Sequence, residues 1–316
     1  MDSNALLSKL YIYLKINNHM NTKSLFATAT AVMLVAACGK TPSSPTPSGQ
    51  EQAPEKIPIN ISISPVSKAT DTAYESGDKV GLYVVNSGSA LSNTGNHADN
   101  VAFTFTGSAW NGAADLYWKD QSTAASFFCY YPYVASISNV KEIPFAVKTD
   151  QSTLENYKAS ELLWGQKSNV TPTSDVVEIT TTHRMSNILV YVLPGNGYTA
   201  ETIWQEGVQV TINNLKVNAV LDAENGTATA SGTPADIVPY LEADHFRALV
   251  PPQAIDNQTL ISLKVGSYSF SIKETIAFKS NTQHKVSLTV NKISEGINIG
   301  IGDWETDDTD YGGTVN

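Results

Sequence analysis

An all-β fold of two tandem β-sandwich domains is the architecture that this sequence predicts, and three observations support it. Beyond residue 56 the chain is rich in Val, Ile, Thr, Tyr and Ser, in short runs broken by Gly, Asn and Pro. Long helical periodicity is absent after residue 40. The length of 316 residues corresponds to about two domains of roughly 100–200 residues each. We therefore expect about seven strands in each sandwich.

The N-terminal segment has the composition of an export signal. Met20 and Lys23 begin a short charged region, and an apolar stretch of signal-peptide length follows it. We therefore assign residues 1–37 to a signal peptide whose true start is Met20. The stretch ends in Leu-Val-Ala-Ala-Cys38, which resembles the bacterial lipobox, so Cys38 is the predicted lipidation site. Gly39 is not an acidic retention residue, which favours an outer-membrane or surface destination.

Residues 38–56 are rich in Pro and Ser and are predicted to be a flexible, lipidated tether. The next segment is a strand with strict alternation, in which four isoleucines share one face. They are Ile57, Ile59, Ile61 and Ile63. Burying one isoleucine contributes about 1.5–3 kcal/mol, whereas the net stability of a whole domain is about 5–15 kcal/mol. A domain that packs this strand would hardly remain folded without it or a substitute for it.

The first sandwich is predicted over residues 57–172. Its further strands are expected at residues 79–85, 101–106, 126–131, 142–147 and 162–167, with a hairpin at 109–118 that turns on Asn-Gly. Residues 168–175 have the composition of a linker, and the domain boundary is placed there.

The second sandwich is predicted over residues 173–304. Its strands are expected at residues 176–180, 183–192, 208–212, 217–222, 227–231, 246–250, 260–265, 268–274 and 284–290, with residues 236–245 as a short helix or loop. Residues 296–304 repeat the alternating pattern of the first strand through Ile297, Ile299 and Ile301. Asp303 follows in phase with these isoleucines and Trp304 out of phase, so a bulge at Gly302 is predicted to turn Trp304 inward. Residues 305–316 form an acidic tail.

The charge and motif content argue against several functions. The formal charge of −10, with only Arg184 and Arg247 as arginines, argues against nucleic acid or an anionic membrane surface as a partner. No nucleophile elbow, phosphate loop or zinc-binding helix motif is present, and the five histidines show no metal-ligand spacing. We therefore predict neither an enzyme nor a metal or other cofactor beyond the lipid on Cys38. His183 is interpreted as a packing or hydrogen-bonding residue and Cys129 as a small buried apolar residue.

Six short motifs follow one another along the body. They are Tyr-Glu-Ser-Gly-Asp-Lys-Val-Gly-Leu-Tyr (74–83), Tyr-Tyr-Pro-Tyr (130–133), Leu-Leu-Trp-Gly (162–165), Thr-His-Arg-Met-Ser (182–186), Arg-Ala-Leu-Val-Pro-Pro-Gln (247–253) and Ile-Gly-Asp-Trp (301–304). No single motif is diagnostic, but their order behind a lipobox resembles the fimbrillin-like lipoproteins of Bacteroides-type bacteria, the type V pilins. The resemblance implies two transthyretin-like sandwiches and a structural subunit of surface fimbriae that supports adhesion, as stalk, tip or anchor.

The resemblance also implies how such a subunit is processed. The lipid carries it to the outer membrane, where a protease removes the lipid, the tether and the first strand. Ile57, Ile59, Ile61 and Ile63 then correspond to the displaceable strand, with Lys68 and Ala69 as the candidate processing site. The sequence departs from the family pattern at this point, because relatives are cut after arginine and this loop contains only lysine.

The resemblance further implies head-to-tail assembly with other fimbrial subunits, in which a donated C-terminal strand fills the vacated groove. Ile297, Ile299 and Ile301 are the candidate donor strand. Alternatively, this strand closes its own sandwich, and only residues 305–316 are left to donate.

An outer-membrane glycan-binding lipoprotein is the alternative function, and a glycoside hydrolase is a more distant one. In the glycan-binding case aromatic side chains would form a sugar-stacking platform. The candidates are Trp110, Tyr117, Trp118, Tyr130, Tyr131 and Tyr133.

Overall fold

A computed structural model describes residues 56–65 and 73–307, and the prediction of an all-β fold is confirmed. In chain order the elements are β1 (Asn60–Pro65), β2 (Lys79–Asn86), β3 (Ala98–Phe105), β4 (Trp110–Gly112), β5 (Ala125–Tyr131), β6 (Ile143–Ala146), α1 (Leu154–Lys158), β7 (Leu163–Val170), β8 (Val176–His183), β9 (Ser186–Pro194), α2 (Ala200–Gln205), β10 (Val208–Asp222), β11 (Thr227–Ile237), β12 (Tyr240–Glu242), β13 (His245–Val250), β14 (Gln253–Val265), β15 (Tyr268–Phe278), β16 (Thr282–Ile293), β17 (Gly296–Ile301) and β18 (Glu305–Asp307).

The strands form three sheets. The first has seven strands in the order β1-β8-β7-β5-β2-β3-β4. The second has the order β11-β10-β14-β15, and β6 also pairs with β10. The third has the order β12-β13-β9-β16-β17, and β18 also pairs with β16. The described pairings are antiparallel except for β1 with β8 and β9 with β16.

The first sheet is buried on both faces. In β2, Leu82 and Val84 face a small core, whereas Tyr83 and Val85 face a large one. The small core consists of Ile59, Ile63, Val80, Leu82, Val84, Ala98, Phe103, Trp118, Ala125, Phe127, Cys129, Val177 and Ile179. The large core joins this sheet to buried residues of β9, β10, β13, β14 and β16. The free thiol of Cys129 is fully buried, and burial raises its pKa, as expected for a small apolar residue.

Strands of the two predicted domains pair with one another's sheets. The predicted boundary at residue 172 lies in the loop between β7 and β8, which are neighbours in the first sheet. β8 belongs to that sheet because Val177 and Ile179 complete the small core beside β1. In return, β6 pairs with β10 through Ile143↔Leu221.

Local elements differ from the sequence prediction at four places. Asn111 and Gly112 lie within β4 and pair with β3, so the predicted hairpin at residues 109–118 that turns on Asn-Gly is wrong. Residues 236–245 contain β12 and the ends of β11 and β13, so the predicted helix or loop is wrong there. β10 is a single strand of 15 residues, where two strands were predicted. The helices α1 and α2 were not predicted; they begin at the N-caps Thr153 and Thr199. Among the described residues, no helix is long and apolar enough to cross a bilayer.

Candidate functional site

β1 lies at the edge of the seven-stranded sheet and pairs only with β8 as a full strand. The pairing is parallel, and its register runs from Asn60↔Val176 through Ile63↔Ile179 to Pro65↔Thr181. A parallel pair cannot be made by a tight hairpin, so the two strands are joined by a long path through the sheet. β1 is therefore an N-terminal edge strand, and β5 is the central strand of the same sheet.

The isoleucine face of β1 and of the residues just before it (57–59) is buried, as the alternation predicts. Ile59 and Ile63 are only 8% and 4% exposed and belong to the small core, and Ile57 and Ile61 pack against the same core in part. The intervening polar side chains are exposed. At about 1.5–3 kcal/mol for each fully buried isoleucine, Ile59 and Ile63 alone contribute about 3–6 kcal/mol. A chain that loses this strand exposes Val177, Ile179 and their neighbours to water.

A second set of contacts holds β1 on the side away from β8. The backbone N–H of Ile59 donates to the carbonyl of Leu116 at 2.9 Å, and the N–H of Trp118 donates to the carbonyl of Ile57 at 2.9 Å. The indole Nε1 of Trp110 donates to the carbonyl of Ile63 at 2.8 Å. These contacts come from the segment predicted as a hairpin at residues 109–118. Their role was not predicted, because nothing in the local sequence of residues 110–118 indicates which strand this segment will contact.

An open groove runs along the outer edge of β1. It has a volume of about 620 Å³ and lies between β1 and the segment that includes Trp110, Asn111, Asp115 and Tyr117. β1 and β4, the two end strands of the sheet, approach each other here but do not pair along their length. Solvent therefore reaches the middle of β1 from one side while its isoleucines stay buried.

Tyr74 lies close to the point where the described chain resumes after β1. Its hydroxyl lies 2.9 Å from Thr181 Oγ1, and its ring packs edge-on against Trp110 and Tyr131 at centroid distances of 4.8 and 5.7 Å. Burial raises the pKa of the Tyr74 phenol well above its usual value. The predicted processing site, Lys68 and Ala69, lies in residues 66–72, outside the described residues. Cys38 and the tether up to residue 55 also lie outside them.

The second alternating strand, β17, is the edge of a different sheet. It pairs antiparallel with β16, with Ile297 facing Lys292, Ile299 facing Val290 and Ile301 facing Leu288. Ile297 and Ile299 are partly buried against the large core, while Ile301 is 50% exposed. The isoleucines of β1 and β17 therefore lie in separate sheets and pack against separate cores within one chain.

The predicted bulge follows β17. Ile301 faces Leu288 and Glu305 faces Lys285, so three residues (302–304) lie opposite two (286–287). The extra residue turns Trp304 toward the large core, where it packs edge-on against Phe278 at a centroid distance of 6.4 Å. The buried Nε1 of Trp304 has no hydrogen-bond partner among the described residues. The strand then resumes as β18 beside residues 283–285.

His284 connects β18 to the turn between β15 and β16. Its Nδ1 lies 3.3 Å from Thr306 Oγ1, and its Nε2 accepts a long hydrogen bond of 3.5 Å from the backbone N–H of Lys279. Burial of the ring, with a smaller contribution from the charge of Lys279, lowers the pKa of His284 from 6.5 to about 4. The neutral imidazole is therefore the form that the folded protein holds.

Acidification is expected to destabilise the fold through His284. Because the folded-state pKa is about 4 and the unfolded value is 6.5, the unfolded chain binds more protons between these two values. The free energy of unfolding should therefore fall as the pH is lowered from 6.5 toward 4, by at most about 1.4 kcal/mol per pH unit from this group. Urea unfolding at pH 7.0, 5.5 and 4.5 measures this. His284→Gln should flatten the dependence. Equal slopes for His284→Gln and the unaltered chain would show that another group is responsible.

The aromatic residues considered for sugar stacking do not form a common platform. Trp118 and Tyr130 are buried, with Trp118 packed edge-on against Phe127 and its Nε1 bound to the carbonyl of Thr173. Tyr117 is exposed, and its neighbour Trp110 is engaged with β1. Trp118 belongs to the small core and Tyr130 to the large core, while Trp110 helps to attach β1.

His183 lies in a polar contact that the sequence did not reveal. Its Nδ1 is 2.9 Å from Glu161 Oε2, and both side chains are largely buried. Arg247, the second arginine, pairs with Glu242 and lies over the ring of Tyr157 at 4.6 Å. Among residues 56–65 and 73–307, no group of three or more metal-binding side chains is close enough to hold a metal ion.

Comparison with known proteins finds a matching family model and related sequences. A family model described as fimbrillin-like matches residues 67–304. A candidate fimbrium tip subunit from Bacteroides ovatus is 29% identical over 229 residues, which cover 63% of this chain and 39% of that protein. A candidate fimbrium subunit from Bacteroides uniformis is 21% identical over 300 residues, which cover 90% of this chain and 96% of that protein. The chain thus spans less than half of the Bacteroides ovatus relative.

Two crystal structures share the fold. A candidate cell adhesion protein from Bacteroides uniformis aligns with a TM-score of 0.62 at 18% identity, covering 80% of this chain and 97% of that one. Another, from Bacteroides ovatus, aligns with a TM-score of 0.63 at 17% identity, covering 80% and 98%. At this level of identity the likeness concerns the fold.

Proposed function

This chain belongs to the fimbrillin-like family, and we propose that it is a structural subunit of cell-surface fimbriae that is exported as a lipoprotein and assembled by strand exchange. Its partners are other fimbrial subunits, joined head-to-tail. The outer membrane holds the precursor through the lipid on Cys38, and a protease removes the first strand. The proposal includes no catalytic step. Support comes from the family match and from relatives whose names describe fimbrium subunits.

The burial of β1 is the observation that carries the strand-exchange part of this proposal. The strand supplies Ile59 and Ile63 to the small core, yet it lies at a sheet edge and its outer side borders an open groove. Removing it leaves a hydrophobic slot beside β8 with unpaired backbone groups. A strand from another subunit with apolar side chains at every second position would fill the slot and restore the backbone hydrogen bonds.

The contacts of Tyr74 would hold the chain that follows the proposed cut in its folded position. Tyr74 is anchored to Thr181, Trp110 and Tyr131 by contacts that do not involve the isoleucines of β1. A cut between residues 65 and 73 would therefore separate β1 from a body whose new N-terminus is held close to the slot. This placement favours release of β1 without disorder of β2.

β17 is the proposed donor. In its own subunit its isoleucines are only partly buried, and Ile301 is half exposed. In the slot of β1, two isoleucine positions are almost fully buried, with Ile59 and Ile63 only 8% and 4% exposed, and the other two are partly buried. Transfer of an isoleucine strand from the edge of β16 to the slot would therefore bury more apolar surface, which favours exchange.

Mass spectrometry of the surface-shed form tests the processing step. We expect a mature N-terminus at or near Ala69, and we expect Lys68→Ala to reduce the processed fraction severely. Lys56→Ala is the matched control, because a cut at Lys56 would leave β1 attached and its loss should change nothing. If all shed and polymeric material carries an intact acylated Cys38, the proposal of strand removal is wrong.

A further inference from the structure

A second groove, which we call the Arg184 pocket, lies where four connections between strands meet. Its volume is about 610 Å³. The described residues that line it are Arg184, Asn225, Gly226, Thr227, Ala228, Pro252, Gln253, Ala254, Ala277, Phe278, Lys279 and Ser280. Two of these are cationic and none is acidic, although the chain as a whole carries a formal charge of −10. The pocket is therefore a local positive site on an acidic protein.

The guanidinium of Arg184 is held in place by its surroundings. It lies over the ring of Trp164 at 4.8 Å, and its Nη2 donates a long hydrogen bond of 3.5 Å to the carbonyl of Trp164. Its backbone N–H donates to the carbonyl of Leu162 at 2.8 Å. The buried Nε has no hydrogen-bond partner among the described residues. These contacts come from an aromatic ring and from carbonyl groups, and among the described residues they give the guanidinium no acidic partner, so its charge favours binding of an anion in the pocket.

The end of the described chain lies beside this pocket. β18 runs antiparallel along the start of β16, and Asp307 faces Gln283. The pocket wall at residues 277–280 immediately precedes β16, and His284 contacts both Thr306 and the backbone of Lys279. The sequence continues from Asp307 as Asp308-Thr309-Asp310. Three residues extend at most about 10 Å, which is sufficient to pass from Gln283 to the turn that carries Lys279.

We propose that the Arg184 pocket binds the carboxylates of Asp308 and Asp310 from the chain's own acidic tail. Carboxylates are the preferred partners of a guanidinium and of an ammonium group. The binding would offset the positive charge of the pocket and place the tail against its own subunit. The inference does not rest on the proposed assembly role, since it concerns only contacts within one chain.

Carbodiimide cross-linking of the full-length chain tests this binding, because the reagent joins a carboxylate to an amine that contacts it. In low salt we expect an amide between Lys279 and Asp308 or Asp310, found by peptide mass spectrometry in the monomer. Lys279→Gln should abolish it, and Arg184→Gln should lower its yield at least fivefold. Lys264→Gln, which removes an exposed lysine on β14, should leave the yield unchanged. The double variant Asp308→Asn with Asp310→Asn changes no described residue and should eliminate the product even if Arg184→Gln disturbs folding.

Mixing light and isotopically heavy chains identifies the donor of the carboxylate. Cross-links within light or within heavy chains support the proposal. Cross-links only between light and heavy chains would overturn it in favour of a tail supplied by a second copy. Absence of the Lys279 product, or an unchanged yield in Arg184→Gln, would also overturn it.

Discussion

Replacing Ile63 by aspartate is expected to lower the free energy of unfolding of the intact chain by about 4 kcal/mol. Ile63 is 4% exposed and packs in the small core. The substitution removes its apolar contacts, which are worth about 2–5 kcal/mol at a buried isoleucine, and it also places a carboxylate in a site without a cationic partner. Urea unfolding followed by tryptophan fluorescence measures the change, because Trp110 and Trp118 both contact the β1 segment.

Ser62→Asp is the matched control for this prediction. Ser62 precedes Ile63 on the same strand, but its side chain is exposed. Substitution there adds the same charge without entering the core, and the change should stay within about 0.5 kcal/mol. A loss of equal size in both variants would mean that charge on the strand, rather than burial of the isoleucine face, determines stability. No loss in Ile63→Asp would show that β1 does not hold the precursor together.

Replacing Ile301 by aspartate is expected to reduce polymer formation at least tenfold while leaving the subunit folded. In its own sheet Ile301 is 50% exposed, so the substitution should change the free energy of unfolding by only about 0.5 kcal/mol. If β17 is donated, the same side chain enters the slot that β1 leaves, where an aspartate would be buried without a partner. The large effect on assembly and the small effect on stability separate the donor role from a local packing role.

Polymer formation by processed subunits can be followed by size-exclusion chromatography and electron microscopy. Asn298→Asp serves as the control, because Asn298 lies on the same strand with its side chain exposed and out of phase with the isoleucines. It should assemble as the unaltered chain does. Normal assembly of Ile301→Asp would contradict donation of β17 and would direct attention to residues 305–316, the alternative donor.

The features of the structure that were predicted correctly are those that depend on the alternation of apolar and polar residues along a single strand. The alternation of Ile59 and Ile63 with polar residues places one face of β1 in the core, because successive side chains of a strand point to opposite sides. The phase of Asp303 and Trp304 indicated a bulge for the same reason, and the register shift after Ile301 confirms it. The short helices α1 and α2 were missed, because five and six residues are too few to show a helical period.

The alternation in the sequence shows which face of each of the two strands is apolar. The partner strand of each face, and how deeply the face is buried, depend on the packing of the folded chain. β1 pairs with β8 more than a hundred residues later and is held on its other side by Trp110 and Trp118. β17 pairs with β16 instead and leaves Ile301 half exposed. The physical reason is that a period of two specifies a buried face but carries no information about the partner strand, which depends on the packing of distant segments.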